Sequence, residues 1–237
     1  MTYPERIVPD ETEPGIVALH LKRYEFALPW CRGLDVLDGA CGVGYGSAFL
    51  ARDARRVVGV DRDEGAIAYA RAHYAAPGVE FRVGDLLDLD LEDAFFDTVC
   101  SFETIEHLPD PEVFLREVVR VLRPGGTLVV STPQAAETTR APDNPFHELE
   151  LSAADFESLL GAHFAEVELY GQRRLQTARH RLLQRLDVLG LRKRLTFLRP
   201  ASRLVGTPPM AEVGLNGIAI ERNGLENATE LVAVCRL

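Results

Sequence analysis

The sequence predicts an α/β fold built on a mostly parallel sheet with helices on both faces. Three observations carry that expectation. From Leu34 to Pro133 short apolar runs alternate with helical patterns, the signature of βαβ units. The first run, LDVLD, leads directly into the glycine-rich turn GACGVGYG and then a helical stretch, so a strand end meets a helix N-terminus where a ligand can sit. A chain of 237 residues, 46% hydrophobic and 26% charged, also has material for a substantial core and falls in the size range of one domain carrying insertions.

Five strands are expected in succession, at Asp35 to Asp38, Val57 to Asp61, Val79 to Val83, Phe96 to Phe102 and Thr127 to Ser131, with helices at Tyr45 to Ala51, Glu64 to Tyr74 and Pro111 to Leu122. The last helix has checkable ends: Asp110 as N-cap, Pro111 at the first helical position and Pro124-Gly125-Gly126 beyond it. Its apolar positions Val113, Phe114, Val118, Val121 and Leu122 share one face, which should cover the sheet. Further on, Ser152 to Leu160 reads as a helix, Val167 to Tyr170 as a strand and Leu231 to Val234 as a final strand. The whole chain, 1–237, therefore reads as one domain, with 34–133 as its ligand-binding core. Residues 1–33 form an N-terminal helical cover, in which Gly15 to Trp30 is an amphipathic helix over the working edge of the sheet. Residues 171–224 form a helical insert before the last strand.

The formal net charge of −10 argues against a surface devoted to nucleic acid, since phosphates would be repelled wherever basic residues are not gathered. The cysteines Cys31, Cys41, Cys100 and Cys235 form no CxxC pair, so neither a zinc knuckle nor a redox motif is indicated and a reducing compartment fits. No run of about 18 apolar residues occurs, and the start MTYPERIVPDETEP carries acids where a secretory leader would be basic and then apolar. These features read as a soluble, unprocessed, cytoplasmic protein without a transmembrane segment.

The chemistry around the glycine turn discriminates between cofactors. A dinucleotide pattern GxGxxG would run from Gly42 and Gly44 but meets Ser47 at its third position. Asp38 stands immediately before the turn; its carboxylate would repel a pyrophosphate and suits a cationic ligand, such as the sulfonium and ammonium of S-adenosylmethionine. It could equally cap the amides of its own loop. The next strand ends in Asp61, 19 residues after Gly42, where a carboxylate can accept both ribose hydroxyls. Asp85, in VGDLLDL, stands where a carboxylate can accept an adenine amino group, or where an ordinary turn residue would sit.

Taken together, DGACGVGYGS, VVGVDRD, FRVGDL, FDTVCSFETIEHLPDP and VLRPGGTLVVSTP occur in the order and spacing of class I S-adenosylmethionine-dependent methyltransferases, in the broad type 11 group, which the chain resembles from about Leu34 to Pro133. The resemblance implies a Rossmann-like, seven-stranded sheet whose last strand is antiparallel, with the cofactor across the carboxyl ends of the first strands. Carried over by position, Asp38, Gly39, Gly42 and Gly44 would hold the methionine part of the cofactor and Asp61 the ribose. Asp85 and Arg62 would meet the adenine, and Leu86 would supply a backbone amide. The ETIEH and NPFH segments are similar to those of bacterial O-methyltransferases that modify glycans or other small molecules, which implies methyl transfer to a hydroxyl of a small or sugar-like acceptor.

A hydroxyl acceptor must lose its proton, and His107 in ETIEH has a suitable intrinsic pKa for a general base near the point of transfer; a purely structural hydrogen bond is its other reading. Glu103 is the second catalytic candidate. The ExxEH spacing of Glu103, Glu106 and His107, followed by His147, is also similar to the ligand set of metal-dependent methyltransferases acting on the 2′-hydroxyl of small RNAs and of ubiquinone-pathway O-methyltransferases. That likeness implies a divalent ion such as Mg²⁺, Mn²⁺ or Zn²⁺. From Arg173 to Arg203 ten Lys or Arg residues and one acid give a local +9, against −19 for the rest of the chain. With Leu182, Leu186 and Leu189 at helical spacing, this stretch can serve as an acceptor lid, a homodimer contact, a site for a phosphorylated or nucleotide-linked acceptor, or a peripheral membrane contact. An RNA methyltransferase, a nicotinamide-dependent oxidoreductase and a non-catalytic cofactor-binding partner subunit remain the competing readings.

Overall fold

A computed structural model describes residues 6–175, 210 and 213–237. In chain order these form α1 (Pro14–Ala27), β1 (Asp35–Gly39), α2 (Tyr45–Leu50), β2 (Arg56–Asp61), α3 (Glu64–Tyr74), β3 (Val79–Val83), β4 (Phe96–Phe102), α4 (Pro111–Val121), β5 (Leu122–Pro133), α5 (Ala153–Gly161), β6 (Glu166–Arg174), β7 (Ile218–Glu221) and β8 (Glu230–Arg236). One sheet runs β3-β2-β1-β4-β5-β8-β6-β7. Strands β1 to β5 are parallel, while β8 lies antiparallel to both β5 and β6. The order reverses beside β1, which pairs with β2 on one side and β4 on the other; a crevice is expected outside the strand ends at such a reversal.

The period-two alternation of the strands divides the core into two layers. Leu37, Val58, Val60, Val99, Leu128 and Val130 face Phe114, Leu115 and Val118 of α4 and Phe156 and Leu160 of α5. Their neighbours Val36, Val57, Cys100 and Val129 face Tyr24 and Ala27 of α1 and Leu50 of α2. The Asp110 side chain accepts from the amides of Glu112 and Val113, so the N-cap of α4 is where the sequence places it. All four cysteines are buried and free. Among the described residues no helix is long and apolar enough to cross a membrane.

Two expectations need correction. The sheet has eight strands, not seven: β7 lies inside 171–224, the segment read as a helical insert. Its four residues, IAIE, are too short to announce themselves beside the long basic stretch. By pairing Gly171↔Glu221 through Arg174↔Ile218, β7 also prolongs β6 beyond Tyr170. The helical reading of the rest of the insert falls on residues outside those described. Likewise β5 begins earlier than expected, at Leu122 opposite Phe96, and the register then jumps to Thr98↔Thr127, so Arg123–Gly126 is an extra loop within the strand.

Helix α1 is attached differently from a simple amphipathic helix. Its buried residues include Arg23 and Tyr24. The Arg23 guanidinium donates from Nε to Gln172 Oε1 on β6 at 2.9 Å, and its Nη2 lies 3.4 Å from Glu103 Oε2 after β4 and 3.9 Å from Glu230 Oε1 on β8. Against α2, the contact has no slack: a Cβ added to Gly46 would stand 1.9 Å from Tyr24 Cζ. Gly46→Ala is therefore expected to push α1 off α2 and to cost about 1–3 kcal/mol of stability, the usual range for overpacking. An unchanged urea midpoint in that variant would show that the two helices are not seated this closely.

Candidate active site

A cavity of about 510 Å³ opens over the carboxyl ends of the strands. Following the strand order, its wall passes from Asp85 and Leu86 after β3, to Asp61 and Arg62 after β2, to Gly42 after β1, and then to Glu103, Glu106 and His107 after β4. His147 joins from the loop before α5, and His20 and Tyr24 from α1.

The glycine turn is shaped by two glycines with different tasks. Gly44 has φ +88°, and a Cβ there would strike Ala70 and Phe81 at 2.7 Å; it lets the turn pack on α3 and β3. Gly42 has φ +54° and nothing within 4 Å of where a Cβ would be, and it lines the cavity. The chain is thus kept bare on the ligand side, where a bound group can approach the backbone. Gly39 rests against Leu86, its Cβ position 3.3 Å from Leu86 Cδ2.

The carboxylates divide their roles as well. Asp61 accepts from the Gly42 amide at 2.9 Å through Oδ2 and from the Asp63 amide at 2.9 Å through Oδ1, so it joins the loops after β1 and β2 while facing the cavity. Arg6 Nη2 stands 3.9 Å from it. Asp85 is exposed and accepts from the Leu87 amide at 2.9 Å. Asp38 is fully buried beneath the turn. It accepts from Ser47 Oγ at 2.6 Å and from Tyr24 OH at 3.2 Å, and does not form part of the cavity wall. Burial pushes its pKa up to about 7.

On the β4 side the backbone itself is strained: Glu103 has φ +50°, an uncommon conformation for a residue with a side chain. It is held there by Ser131, whose Oγ donates to Glu103 Oε1 at 2.7 Å and accepts from the Glu103 amide at 3.1 Å, and by Arg23. Glu106 is buried, and burial first, then the charge of Glu103, raises its pKa well above the usual range. Its carbonyl accepts from the amides of Glu148 and Leu149 at 2.8 and 3.2 Å, which brings His147 alongside. His107 Nδ1 donates to the Phe146 carbonyl at 2.8 Å, and its Nε2 lies 4.0 Å from Glu106 Oε1. His147 meets Glu150 Oε1 through Nδ1 at 2.8 Å and Asn144 Nδ2 through Nε2 at 3.0 Å.

Ligand atoms of Glu106, His107 and His147 lie within 4.8 Å of one another. Glu103 does not join that group; of the four ligands implied by ExxEH and His147, the fourth is turned onto Ser131 and Arg23.

The match to known proteins agrees with this geometry. Residues 37–130 match the Methyltransferase domain family. That segment is similar to a methyltransferase domain. A protein of Mycolicibacterium smegmatis described as a probable S-adenosylmethionine-dependent methyltransferase is 44% identical over 168 residues, 69% of this chain and 65% of that protein. A fatty-acid O-methyltransferase of the same organism is 37% identical over 54% of this chain and 50% of its own length. The chain thus spans less than two thirds of the length of these curated relatives. A solved structure of a SAM-dependent methyltransferase from Thermotoga maritima superposes with TM-score 0.62 at 17% identity, covering 96% of this chain and 95% of that one; the fold is that of class I methyltransferases.

Around this cavity the sequence motifs mark the residues that follow the strand ends but not those that α1 delivers. His20 and Tyr24 belong to no motif, and only their spacing, one helical turn apart, places them on one face; Tyr45 lies within the glycine-turn motif, at the start of α2. The buried Asp38 has a consequence that can be measured. Its pKa is about 7 in the folded protein against about 4 when unfolded, so between these values the folded state binds more protons. The stabilisation that Asp38 gives is fully present below pH 4 and lost as pH rises through 7, with a slope of at most about 1.4 kcal/mol per pH unit. Asp38→Asn should flatten this part of the profile: the stability difference between variant and wild type should shift in the variant's favour from pH 5 to pH 7. A difference independent of pH would show that Asp38 is not buried in this way.

Proposed function

We propose that this chain transfers a methyl group from S-adenosylmethionine to a hydroxyl of a small or sugar-like acceptor. One observation carries the reading: a single cavity joins the Gly42 and Asp61 side, suited to a nucleoside with an amino-acid tail, to the Glu106 and His107 side, suited to proton removal. The bare backbone at Gly42 leaves room for the methionine part, Asp61 presents a carboxylate to the ribose hydroxyls, and Arg62, Asp85 and Leu86 surround the adenine. Asp38 and Gly44 support the turn from behind. When bound, the cofactor supplies a methyl already activated by its sulfonium, so the protein's part is to align an acceptor, exclude water and take up a proton.

His107 is the group for that proton. Phe146 O fixes its tautomer and orientation, and the lone pair of Nε2 can accept from an acceptor hydroxyl. Glu103, held by Ser131 and Arg23, orients the acceptor. A fatty acid, named for one of the relatives, offers a carboxylate that needs no base at neutral pH; a wall bearing His107, Glu103 and Glu106 favours a hydroxyl instead.

The grouping of Glu106, His107 and His147 favours a second, metal-assisted version of the same reaction. Two imidazoles and a carboxylate suit a divalent ion such as Mg²⁺, Mn²⁺ or Zn²⁺, and Glu150 behind His147 Nδ1 is the carboxylate that commonly orients a ligating histidine. In that version a bound ion would lower the acceptor's pKa, and His107 would be a ligand rather than a base.

Calorimetry should show binding of S-adenosylmethionine and S-adenosylhomocysteine but not NAD; tight NAD binding without either sulfur ligand would overturn the reading. Asp61→Ala should weaken S-adenosylhomocysteine binding by about 1.5–3 kcal/mol, the cost of removing a charged hydrogen-bond acceptor, and unchanged affinity in the folded variant would remove Asp61 from the ribose. With an acceptor found by mass gain of one methyl, His107→Ala should lower kcat by roughly a hundredfold with little change in cofactor affinity. Full activity after exhaustive chelation assigns His107 as the base; activity lost on chelation and restored by one added ion assigns the metal-assisted route.

A further inference from the structure

A sulfonium is a cation with no hydrogen-bond donor at its charged atom, so it is held by a carboxylate or by the π face of an aromatic ring. Asp38, the carboxylate that the sequence offers to such a charge, is buried beneath the glycine turn and outside the cavity wall. Tyr24 stands at the wall in its place: its hydroxyl donates to Asp38 at 3.2 Å, and the residue lines the cavity. Two further aromatic residues of the wall, Phe102 and Tyr45, join it there. The Tyr24 ring centroid lies 4.9 Å from that of Phe102 at 85° and 6.0 Å from that of Tyr45 at 72°. Rings set so steeply to one another form a corner rather than a stack.

This corner stands where the two halves of the cavity meet. Tyr45 is the first residue of α2, directly after Gly44 of the glycine turn. Phe102 ends β4 and precedes Glu103; because β4 pairs with β1 at Asp38↔Cys100, Phe102 is carried to the level of that turn. Tyr24 touches both rings from α1. A methyl passing from a cofactor over Gly42 and Asp61 to an acceptor beside His107 has to cross this junction. The arginines of the described wall are placed elsewhere, Arg6 against Asp61 and Asp63 and Arg62 next in sequence to Asp61. The buried guanidinium of Arg23 is outside the wall and set against Glu103 and Glu230. Burial raises the pKa of the Tyr24 and Tyr45 phenols, so both remain neutral hydroxyls.

We propose that Tyr24, Tyr45 and Phe102 form the recess for the sulfonium of S-adenosylmethionine, holding its charge by their π systems. This rests on the reading above that S-adenosylmethionine is the methyl donor. The recess distinguishes donor from product by charge: once the methyl has left, the sulfur is a neutral thioether, and the rings keep only van der Waals contact with it. Asp38 acts through Tyr24, whose hydroxyl it anchors, rather than by meeting the cofactor.

Binding alone tests this, without an acceptor. Dissociation constants are measured by calorimetry for S-adenosylmethionine, S-adenosylhomocysteine and S-adenosylhomocysteine sulfoxide, in which a neutral S–O group replaces the charged S–CH₃. Tyr45→Leu and Phe102→Leu should each lower the preference for S-adenosylmethionine over S-adenosylhomocysteine roughly threefold to fivefold, the worth of one partly exposed cation–π contact. Tyr45→Phe, which keeps the ring, should keep the wild-type preference, and the sulfoxide should follow S-adenosylhomocysteine through the series. In the wild-type protein the S-methyl proton signal of methyl-labelled S-adenosylmethionine should move upfield on binding, as ring currents require, and move less in the leucine variants. An unchanged preference in both leucine variants, a sulfoxide that loses affinity in step with S-adenosylmethionine, or an S-methyl signal that does not move upfield in the wild type would each overturn the recess and leave the transfer reading in place. Ring-dependent preference for S-adenosylmethionine without methylation of any hydroxyl acceptor would defeat the transfer reading and leave the recess standing. Failure of both sulfur ligands to bind would overturn both.

Discussion

The buried carboxyl of Asp38 is the point on which the cofactor side of the molecule depends. It sits at the end of the central strand, with Ser47 of α2 and Tyr24 of α1 both donating to it. A single group therefore sets the position of the glycine turn, the start of the helix that follows it and the helix laid over both. Because the carboxyl is taken out of water, its hydrogen bonds are made in a medium of low polarity, where they count for more and where a missing partner is expensive. The side chain that the ligand would meet, Asp61, is then placed by the turn through the Gly42 amide.

Arg23 plays the corresponding part on the acceptor side. One guanidinium, buried among Gln172, Glu103 and Glu230, connects α1 to the end of β4 and to two strands of the antiparallel half of the sheet. Breaking a buried pair of this kind leaves charges without compensation, so the helix and the strained Glu103 hold each other in place. Helix α1 consequently acts on both halves of the cavity: Tyr24 reaches under the cofactor turn while Arg23 braces the acceptor wall, and His20 lines the same cavity.

The parallel half of the fold was legible in the sequence because it is written in local rules. Strand ends, the Asp110 cap, the glycine turn and the carboxylates at the ends of β1, β2 and β3 are each determined by a few adjacent residues. What could not be read depends on distant pairing. Strand β7 exists because Gly171–Arg174 lies beside it, and four residues carry too little pattern to reveal that. The acceptor wall is similar: Glu106 and His107 were singled out by their spacing, but their approach to His147 depends on the Glu106 carbonyl accepting the amides of Glu148 and Leu149. Nothing in the string ETIEH says that Glu103 turns away from its neighbours. His20 and Tyr24 belong to no motif, and their place in the cavity wall comes from where Asp38 and Arg23 anchor the helix.

The position of β8 has a consequence for assembly. It is later in sequence than β6 and β7 yet lies between β5 and β6, so those two strands have no edge to join until it arrives. The parallel half can form from contacts among consecutive segments, whereas the antiparallel half must wait for a strand more than fifty positions beyond β6, with the loop-closure entropy that such pairing carries. Glu230, at the start of β8, and Gln172, on β6, both reach Arg23. The brace behind Glu103 is therefore complete only when the sheet is, so the wall on that side of the cavity depends on the most distant pairing in the chain.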